Sequence, residues 1–159
     1  MWSDAFLPVS VIIANYNSEN YLNECVRSIN AGQWPLEILI VDDCSTDASL
    51  PLALQLAAEF SNVRVFQLPE NVGAAEARKI AILNAQCEWI TIIDADDYIE
   101  KDAIAAALAK AIAEGSDMCI WQLWRFDVQR AWCAMNLDNL SFPRTGRQAV
   151  IGTLGRYSI

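Results

Sequence analysis

Three carboxylates stand together in the chain, directly after a short apolar run. Asp94, Asp96 and Asp97 follow the sequence WITII and are interrupted only by Ala95. Carboxylates this close repel one another, and their partial burial is costly unless a cation lies beside them. Oxygen ligands suit Mg²⁺ or Mn²⁺, with water and a substrate phosphate completing the coordination. The run therefore predicts a divalent-cation site, and its alternative is a solvated acidic turn ahead of a helix.

Two further polar segments follow other apolar runs. Asp42 and Asp43 come after LEILIV, where one of the two is placed to accept a hydrogen bond from a ligand. The alternative is ordinary helix capping, for which Asp, Ser and Thr are common residues. Tyr16 follows the first apolar run, and an exposed tyrosine there can stack on a planar base. An ordinary loop tyrosine is an equal alternative.

The composition of the 159 residues removes several classes of function. The absence of histidine excludes Ser-His and Cys-His catalysis and histidine-ligated metals. The five cysteines are never closer than 14 residues, which favours buried free thiols in a reducing compartment over a zinc or redox pair. A net charge of −9 argues against a nucleic-acid partner or an anionic-membrane surface. No apolar run reaches the roughly 20 residues of a membrane span, and the acidic start predicts no export.

Short β-branched runs alternate with longer alanine- and leucine-rich runs up to about residue 115. The runs predict strands at Val9–Ala14, Leu36–Val41, Val63–Leu68, Trp89–Ile93 and Met118–Leu123. They predict helices at Glu19–Ala31 after a Ser18 cap, from Ser45 or Thr46 to Phe60, at Gly73–Ala85, and at Lys101–Glu114 closed by Gly115. Pro51 predicts a late start or a kink in the second helix. The alternation indicates βαβ units in an open α/β sheet, whose strand ends would gather the acidic segments at one edge.

The regular pattern ends at about Phe126. Residues 136–147 are polar and turn-rich, and residues 147–159 start like a helix, so we expect a chain that is cut off within a larger design. The segment Met118–Met135 predicts an exposed apolar surface and self-association, because it carries Trp121, Trp124, Phe126 and Trp132. The alternative is an ordinary strand whose neighbours fold back on the core.

The four motifs together resemble glycosyltransferase family 2, the inverting nucleotide-sugar enzymes of GT-A fold. The resemblance covers residues 8–115 in unbroken order through PVSVIIANYNSENYLNECVRSI, LEILIVDDCSTDASL, VRVFQLPENVGAAEARKIAI and CEWITIIDADDYIEKDAI. It implies a Rossmann-like, open and mainly parallel sheet flanked by helices. It also implies a nucleotide-sugar-binding domain over residues 1–125 and the incomplete start of an acceptor-side region over residues 126–159.

The resemblance also implies roles for individual residues. Six positions match nucleotide-binding positions of the family: Ala14, Tyr16, Asp43, Arg78, Asp94 and Ala95. By this match, Tyr16 packs against the base, Asp43 hydrogen-bonds it, and Arg78 lies near the nucleotide. Asp94 and Asp96 form the DxD motif that holds Mg²⁺ or Mn²⁺, with Asp96 as the direct ligand and Asp94 closer to the ribose.

The implied reaction transfers a sugar, UDP-linked by preference, to the hydroxyl of a glycan or lipid-linked acceptor with inversion. The family resemblance places this reaction in cell-surface polysaccharide synthesis, in the cytoplasm, and leaves peripheral attachment to the inner face of the membrane open. The catalytic base is unassigned, because no ED-type motif follows residue 115 and both Asp127 and Asp138 fit surface or turn positions better. Two alternatives stay open: a nucleotide-binding chain without turnover, and a haloacid-dehalogenase-type phosphatase. The sugar, the acceptor and the linkage are left open as well.

Overall fold

The computed structural model describes residues 9–32 and 36–119, together with strands at 123–126, 131–135 and 154–156. Strands and helices alternate up to the fifth strand, as the sequence pattern predicts. In chain order they are β1 Val9–Asn15, α1 Leu22–Asn30, β2 Leu36–Asp42, α2 Ser49–Glu59, β3 Val63–Gln67, α3 Ala74–Asn84, β4 Trp89–Ile92, α4 Ala103–Ala113, β5 Met118–Cys119, β6 Leu123–Phe126, β7 Ala131–Met135 and β8 Leu154–Arg156.

Six strands form one sheet in the order β3-β2-β1-β4-β8-β5, and β6 and β7 form a separate antiparallel pair. Strands β1 to β4 run parallel, and Asn15 at the end of β1 is paired with Asp42 at the end of β2. β8 is inserted antiparallel between β4 and β5. The open, mainly parallel α/β sheet is therefore confirmed. We call the side where β1 to β4 end the carboxyl edge and the opposite side, where they begin, the amino edge.

The central strands are apolar because helices cover both faces of the sheet. On one face, Val11 and Ile13 of β1 belong to a cluster with buried residues of α1, α2 and α4. On the other face, Ile12 packs with Ala77 and Ala81 of α3. Burial on both sides explains the nearly continuous hydrophobic runs, which are typical of parallel strands. In β1 and β2, the polar side chains accordingly lie within two positions of a strand end.

The helix starts differ from the predictions, because the expected capping residues have other partners. Helix α1 begins at Leu22 instead of Glu19, and the Ser18 hydroxyl donates a hydrogen bond to the Tyr16 carbonyl. Helix α2 begins at Ser49 and has no side-chain cap. The cap predictions for Ser18 and for Ser45 or Thr46 are therefore wrong. The late start that Pro51 predicted is confirmed, since the proline lies in the first turn of α2.

The end of α4 follows the prediction closely. Gly115 adopts a left-handed backbone with φ +60°, which glycine tolerates best. Its N–H donates to the Ile112 carbonyl at 3.1 Å, and the Ser116 N–H donates to the Ala111 carbonyl at 2.9 Å. Glycine thus ends the helix as expected.

The region after α4 was predicted less well. The strand expected at Met118–Leu123 is wrong in extent, since β5 comprises Met118–Cys119 and Leu123 opens β6 in the other sheet. Within the stretch that was expected to start like a helix, the described residues Leu154–Arg156 form a strand of the main sheet. Of the aromatic residues behind the predicted apolar surface and self-association, Trp121 lies outside the described residues and the others are described only by their strands, so both stay predictions. The division at residues 125 and 126 stays a prediction too.

Candidate functional site

The three carboxylates lie in a turn directly after β4, at the carboxyl edge. The Asp97 N–H donates to the Asp94 carbonyl at 3.0 Å and closes the turn. Ala95 is 5% exposed and belongs to the core, whereas Asp94 and Asp96 are exposed on either side of it. The alternation explains why a small apolar residue separates the two acids: it anchors the turn and leaves both carboxylates in solvent.

Helix α1 supports this turn from beneath. The thiol of Cys25 lies 3.5 Å from the Asp94 carbonyl, and the hydroxyl of Ser28 accepts a hydrogen bond from the Ile99 N–H at 3.0 Å. Burial, together with the charges of the nearby carboxylates, raises the pKa of the Cys25 thiol to about 12. Cys25 is therefore a neutral, buried support. This role could not be predicted from the sequence, because nothing in the spacing links residue 25 to residue 94.

The electrostatics of the turn favour a cation. Partial burial and the neighbouring charges of Asp94 and Asp96 raise the pKa of the Asp97 carboxyl above its ordinary value. Among the described residues, no group of three or more His, Cys, Asp or Glu side chains could hold a metal ion by itself. Two exposed carboxylates nevertheless fit the way proteins hold Mg²⁺, which keeps several waters and takes further ligands from substrate phosphates. The donor set therefore fits a divalent cation that arrives with a diphosphate.

Arg78 on α3 contacts this turn. Its Nη2 atom lies 2.5 Å from Oδ1 of Asp94, and the two side chains are 35% and 57% exposed. The Nε atom of Arg78 is buried and has no hydrogen-bond partner within the described part of the chain. The structure thus brings together two residues that the sequence separates by sixteen positions.

Asp43 lies one residue beyond β2 at the same edge, with only 3% of its surface exposed. Its Oδ1 accepts a hydrogen bond from the Val72 N–H at 2.7 Å, and its Oδ2 accepts one from the Gly73 N–H at 2.8 Å. Gly73 has φ +86° and directly precedes α3, so Asp43 fixes the start of that helix. Each oxygen keeps a lone pair, so the carboxylate can still accept a base N–H.

Asp42 has a different environment, although it is the neighbouring residue. It is fully buried, and its carboxylate accepts hydrogen bonds from the Asn15 side chain at 2.7 Å and the Ser45 N–H at 3.1 Å. Asp43 is therefore the acid beside the start of α3, whereas Asp42 links the end of β2 to the end of β1. The role of Asn15 was not predicted, although its place at a strand end is the signal that could have indicated it.

Ala14 and Tyr16 flank Asn15 on the other face of β1. Ala14 is half-buried against the α3 side of the core, and Tyr16 is 49% exposed. Because Asn15 is paired with Asp42, Tyr16 and Asp43 each lie one position beyond a paired residue. The predicted nucleotide-binding residues therefore share the carboxyl edge, where open α/β sheets bind their ligands. Their individual roles remain predictions.

Comparisons with known proteins agree with this arrangement. The family model described as Glycosyl transferase family 2 matches residues 10–156. The chain belongs to glycosyltransferase family 2. A curated relative is poly(ribitol-phosphate) beta-N-acetylglucosaminyltransferase TarS of Staphylococcus aureus, which is 35% identical over 115 residues. That match covers 70% of this chain and 20% of the relative.

Solved structures of glycosyltransferases share the fold. The TarS fragment 1–349 superposes with a TM-score of 0.76 at 27% identity, covering 94% of this chain and 47% of the fragment. Its complex with UDP-GlcNAc gives 0.70 at 32% identity, covering 78% and 36%. The mannosyltransferase PcManGT of Pyrobaculum calidifontis in complex with GDP-Man and Mn²⁺ gives 0.69 at 25% identity, covering 76% and 36%. This family 2 chain thus spans less than half the length of each of these proteins.

Proposed function

We propose that the chain forms the donor-binding part of an inverting glycosyltransferase that uses a UDP-linked sugar and a divalent cation. The observation that carries this proposal is the carboxyl edge itself, where Asp94 and Asp96 stand exposed beside Arg78 and Asp43. Family membership and the UDP-GlcNAc complex of a relative support the choice of donor. No described feature favours the phosphatase alternative.

Each residue would act on the donor through a separate contact. Tyr16 would stack on the base, and Asp43 would accept its N–H. Asp94 and Asp96 would hold the cation, which would offset the charge that builds on the departing nucleoside diphosphate. Arg78 would add a fixed positive charge beside the same groups. The base that takes the acceptor proton is not assigned to a residue of this chain.

The acceptor and the cellular setting are proposals at a coarser level. The TarS relative is named for poly(ribitol-phosphate), a polyol-phosphate polymer. We therefore propose a hydroxyl-bearing glycan or lipid-linked acceptor of cell-surface polysaccharide synthesis, reached from the cytoplasmic side. None of the helices in the described ranges is long and apolar enough to cross a membrane.

Calorimetric titration with UDP, UDP-GlcNAc and GDP-mannose tests the proposal, each in Mn²⁺ and in EDTA. We expect UDP and UDP-GlcNAc to bind in Mn²⁺ and to lose affinity at least tenfold in EDTA. Asp96→Asn should weaken binding similarly in Mn²⁺, because it removes the proposed metal ligand. The matched control is Asp117→Asn, which removes the same charge before β5 and therefore at the amino edge. Equal affinities in Mn²⁺ and EDTA would contradict the metal role.

A further inference from the structure

The ion pair between Arg78 and Asp94 places a protein cation on a carboxylate of the proposed metal site. Their contact is the shortest ion pair among the described residues, with 2.5 Å between Nη2 and Oδ1. Three carboxylates lie within four residues of this turn, and among the described side chains Arg78 is the cation in contact with them. The guanidinium thus offsets part of a charge that a divalent ion would otherwise offset.

A guanidinium and a divalent cation compete for one carboxylate. Both are positive, so they repel each other when they are bound to the same group. A metal that binds Asp94 must therefore displace Arg78 or tolerate it at close range. In the absence of another partner for Arg78, this competition lowers the affinity of the site for metal.

Arg78 is also prepared to accept another partner. Its Nε–H is buried and finds no acceptor within the described residues. A buried donor without an acceptor is costly, so a ligand that brings an acceptor to it gains binding free energy. A nucleoside diphosphate carries several acceptor oxygens, and guanidinium groups bind such oxygens in pairs.

We propose that Arg78 is a positioning residue that exchanges partners, holding Asp94 before the donor binds and turning to the nucleotide when it does. This inference rests on the proposed function. The exchange frees Asp94 for the cation, so part of the cooperativity between metal and nucleotide passes through Arg78. Since such coupling is reciprocal, the metal would favour nucleotide binding by the same factor.

Titration with Mn²⁺ alone, followed by the electron paramagnetic resonance signal of free Mn²⁺, measures the competition directly. Arg78→Gln should bind Mn²⁺ about fivefold more tightly than the wild type, because the competing ion pair is gone. Lys79→Gln is the matched control: it removes the same charge from the next position of α3, where Lys79 pairs with Glu76. Its Mn²⁺ affinity should equal that of the wild type.

Repeating the titration with saturating UDP measures the coupling. UDP should raise the Mn²⁺ affinity of the wild type by a larger factor than that of Arg78→Gln, because only the wild type has an ion pair to exchange. Arg78→Lys keeps the charge without the planar fork and should give a smaller rise in metal-only affinity than Arg78→Gln. If Arg78→Gln does not fold, as judged by circular dichroism, the metal-only Mn²⁺ affinities of Arg78→Lys and Lys79→Gln are compared instead. A higher affinity of Arg78→Lys supports the exchange, and equal affinities contradict it.

The outcomes separate this inference from the proposed function. If UDP binds with metal but Arg78→Gln shows no rise in metal-only Mn²⁺ affinity, the exchange is wrong and donor binding stands. The same conclusion follows if neither the wild type nor Arg78→Gln binds Mn²⁺ alone detectably. If Lys79→Gln rises equally, a general charge effect replaces the ion pair and the exchange is wrong as well. If UDP does not bind the wild type in Mn²⁺, the proposed function itself fails.

Discussion

Carboxylates at the two edges of the parallel sheet have opposite environments, and their pKa values are shifted in opposite directions. At the amino edge, Glu37 of β2 accepts hydrogen bonds from the Ser10 hydroxyl at 2.6 Å, the Gln86 N–H at 2.5 Å and the Arg64 guanidinium at 3.1 Å. Partial burial opposes its ionisation, but these donors outweigh burial and lower the pKa of Glu37. At the carboxyl edge, burial and neighbouring carboxylates instead raise the pKa of Asp97.

The difference separates acids that hold the fold from acids at the candidate site that repel one another. Glu37 has donors from β1, β3 and the segment before β4, so its charge joins four parts of the chain. Asp96 is exposed and adds to the repulsion that Asp97 experiences. A carboxylate kept charged against repulsion lowers stability, and such groups are common at functional sites. The contrast therefore supports placing the ligand at the carboxyl edge.

Removing the charge at the amino edge should have the largest effect on stability. In Glu37→Gln, an amide N–H₂ faces the hydrogen-bond donors that the carboxylate now accepts from. The substitution should therefore lower the free energy of unfolding by about 2 kcal/mol. Chemical denaturation measures the loss. UDP affinity in Mn²⁺ should stay within twofold of the wild type, and a larger fall in affinity at unchanged stability would break the comparison.

Asp43 lies at the carboxyl edge but also fixes the start of α3, so its substitution should lower both stability and UDP affinity. Asp43→Asn keeps one acceptor and turns its amide donor against a backbone N–H of Val72 or Gly73. We expect about 1 kcal/mol of lost stability, as for a weakened helix cap, together with weaker UDP binding. Lost stability with unchanged UDP affinity would reduce Asp43 to a structural residue.

Asp96→Asn should have a small effect of opposite sign in the metal-free protein. The substitution keeps the shape and removes one charge from a repelling group, so thermal stability should stay unchanged or rise slightly. Asp117→Asn is again the control for charge alone. A clear fall in the melting temperature of Asp96→Asn would favour the acidic-turn alternative, in which the carboxylates serve local structure.

The pH dependence of stability should show the smallest effects, with opposite signs at the two edges. Because the pKa of Glu37 is lowered by folding, its stabilisation is present above its unfolded pKa of about 4.3 and is lost as pH falls through the folded value. Because the pKa of Asp97 is raised, its contribution is most favourable below about pH 3.9 and is lost as pH rises. Denaturation between pH 3 and pH 7 should thus show a flatter acid limb for Glu37→Gln and a gain near neutral pH for Asp97→Asn. Parallel curves for both variants and the wild type would contradict this.

The sequence predicted the sheet, its parallel strands and the edge at which the candidate residues gather, because burial on both faces leaves a strong pattern in β1, β2 and β4. It failed where side chains choose between partners. Ser45 was expected to cap a helix, yet its hydroxyl accepts the Asn17 N–H at 3.0 Å. Contacts such as Cys25 with the Asp94 carbonyl and Glu37 with Gln86 join residues 69 and 49 positions apart. Local spacing carries no information about such pairs.

The central claim is that the ligand binds at the carboxyl edge with its metal, and paramagnetic broadening by Mn²⁺ in the presence of UDP tests it most directly. β1 has seven residues, so the two edges lie about 20 Å apart. In backbone amide spectra, we expect Gly73, Asp94 and Asp96 to lose intensity at Mn²⁺ concentrations that leave Gln86 and Cys87 intact. Equal loss at both edges, or earlier loss at Gln86 and Cys87, would contradict the account.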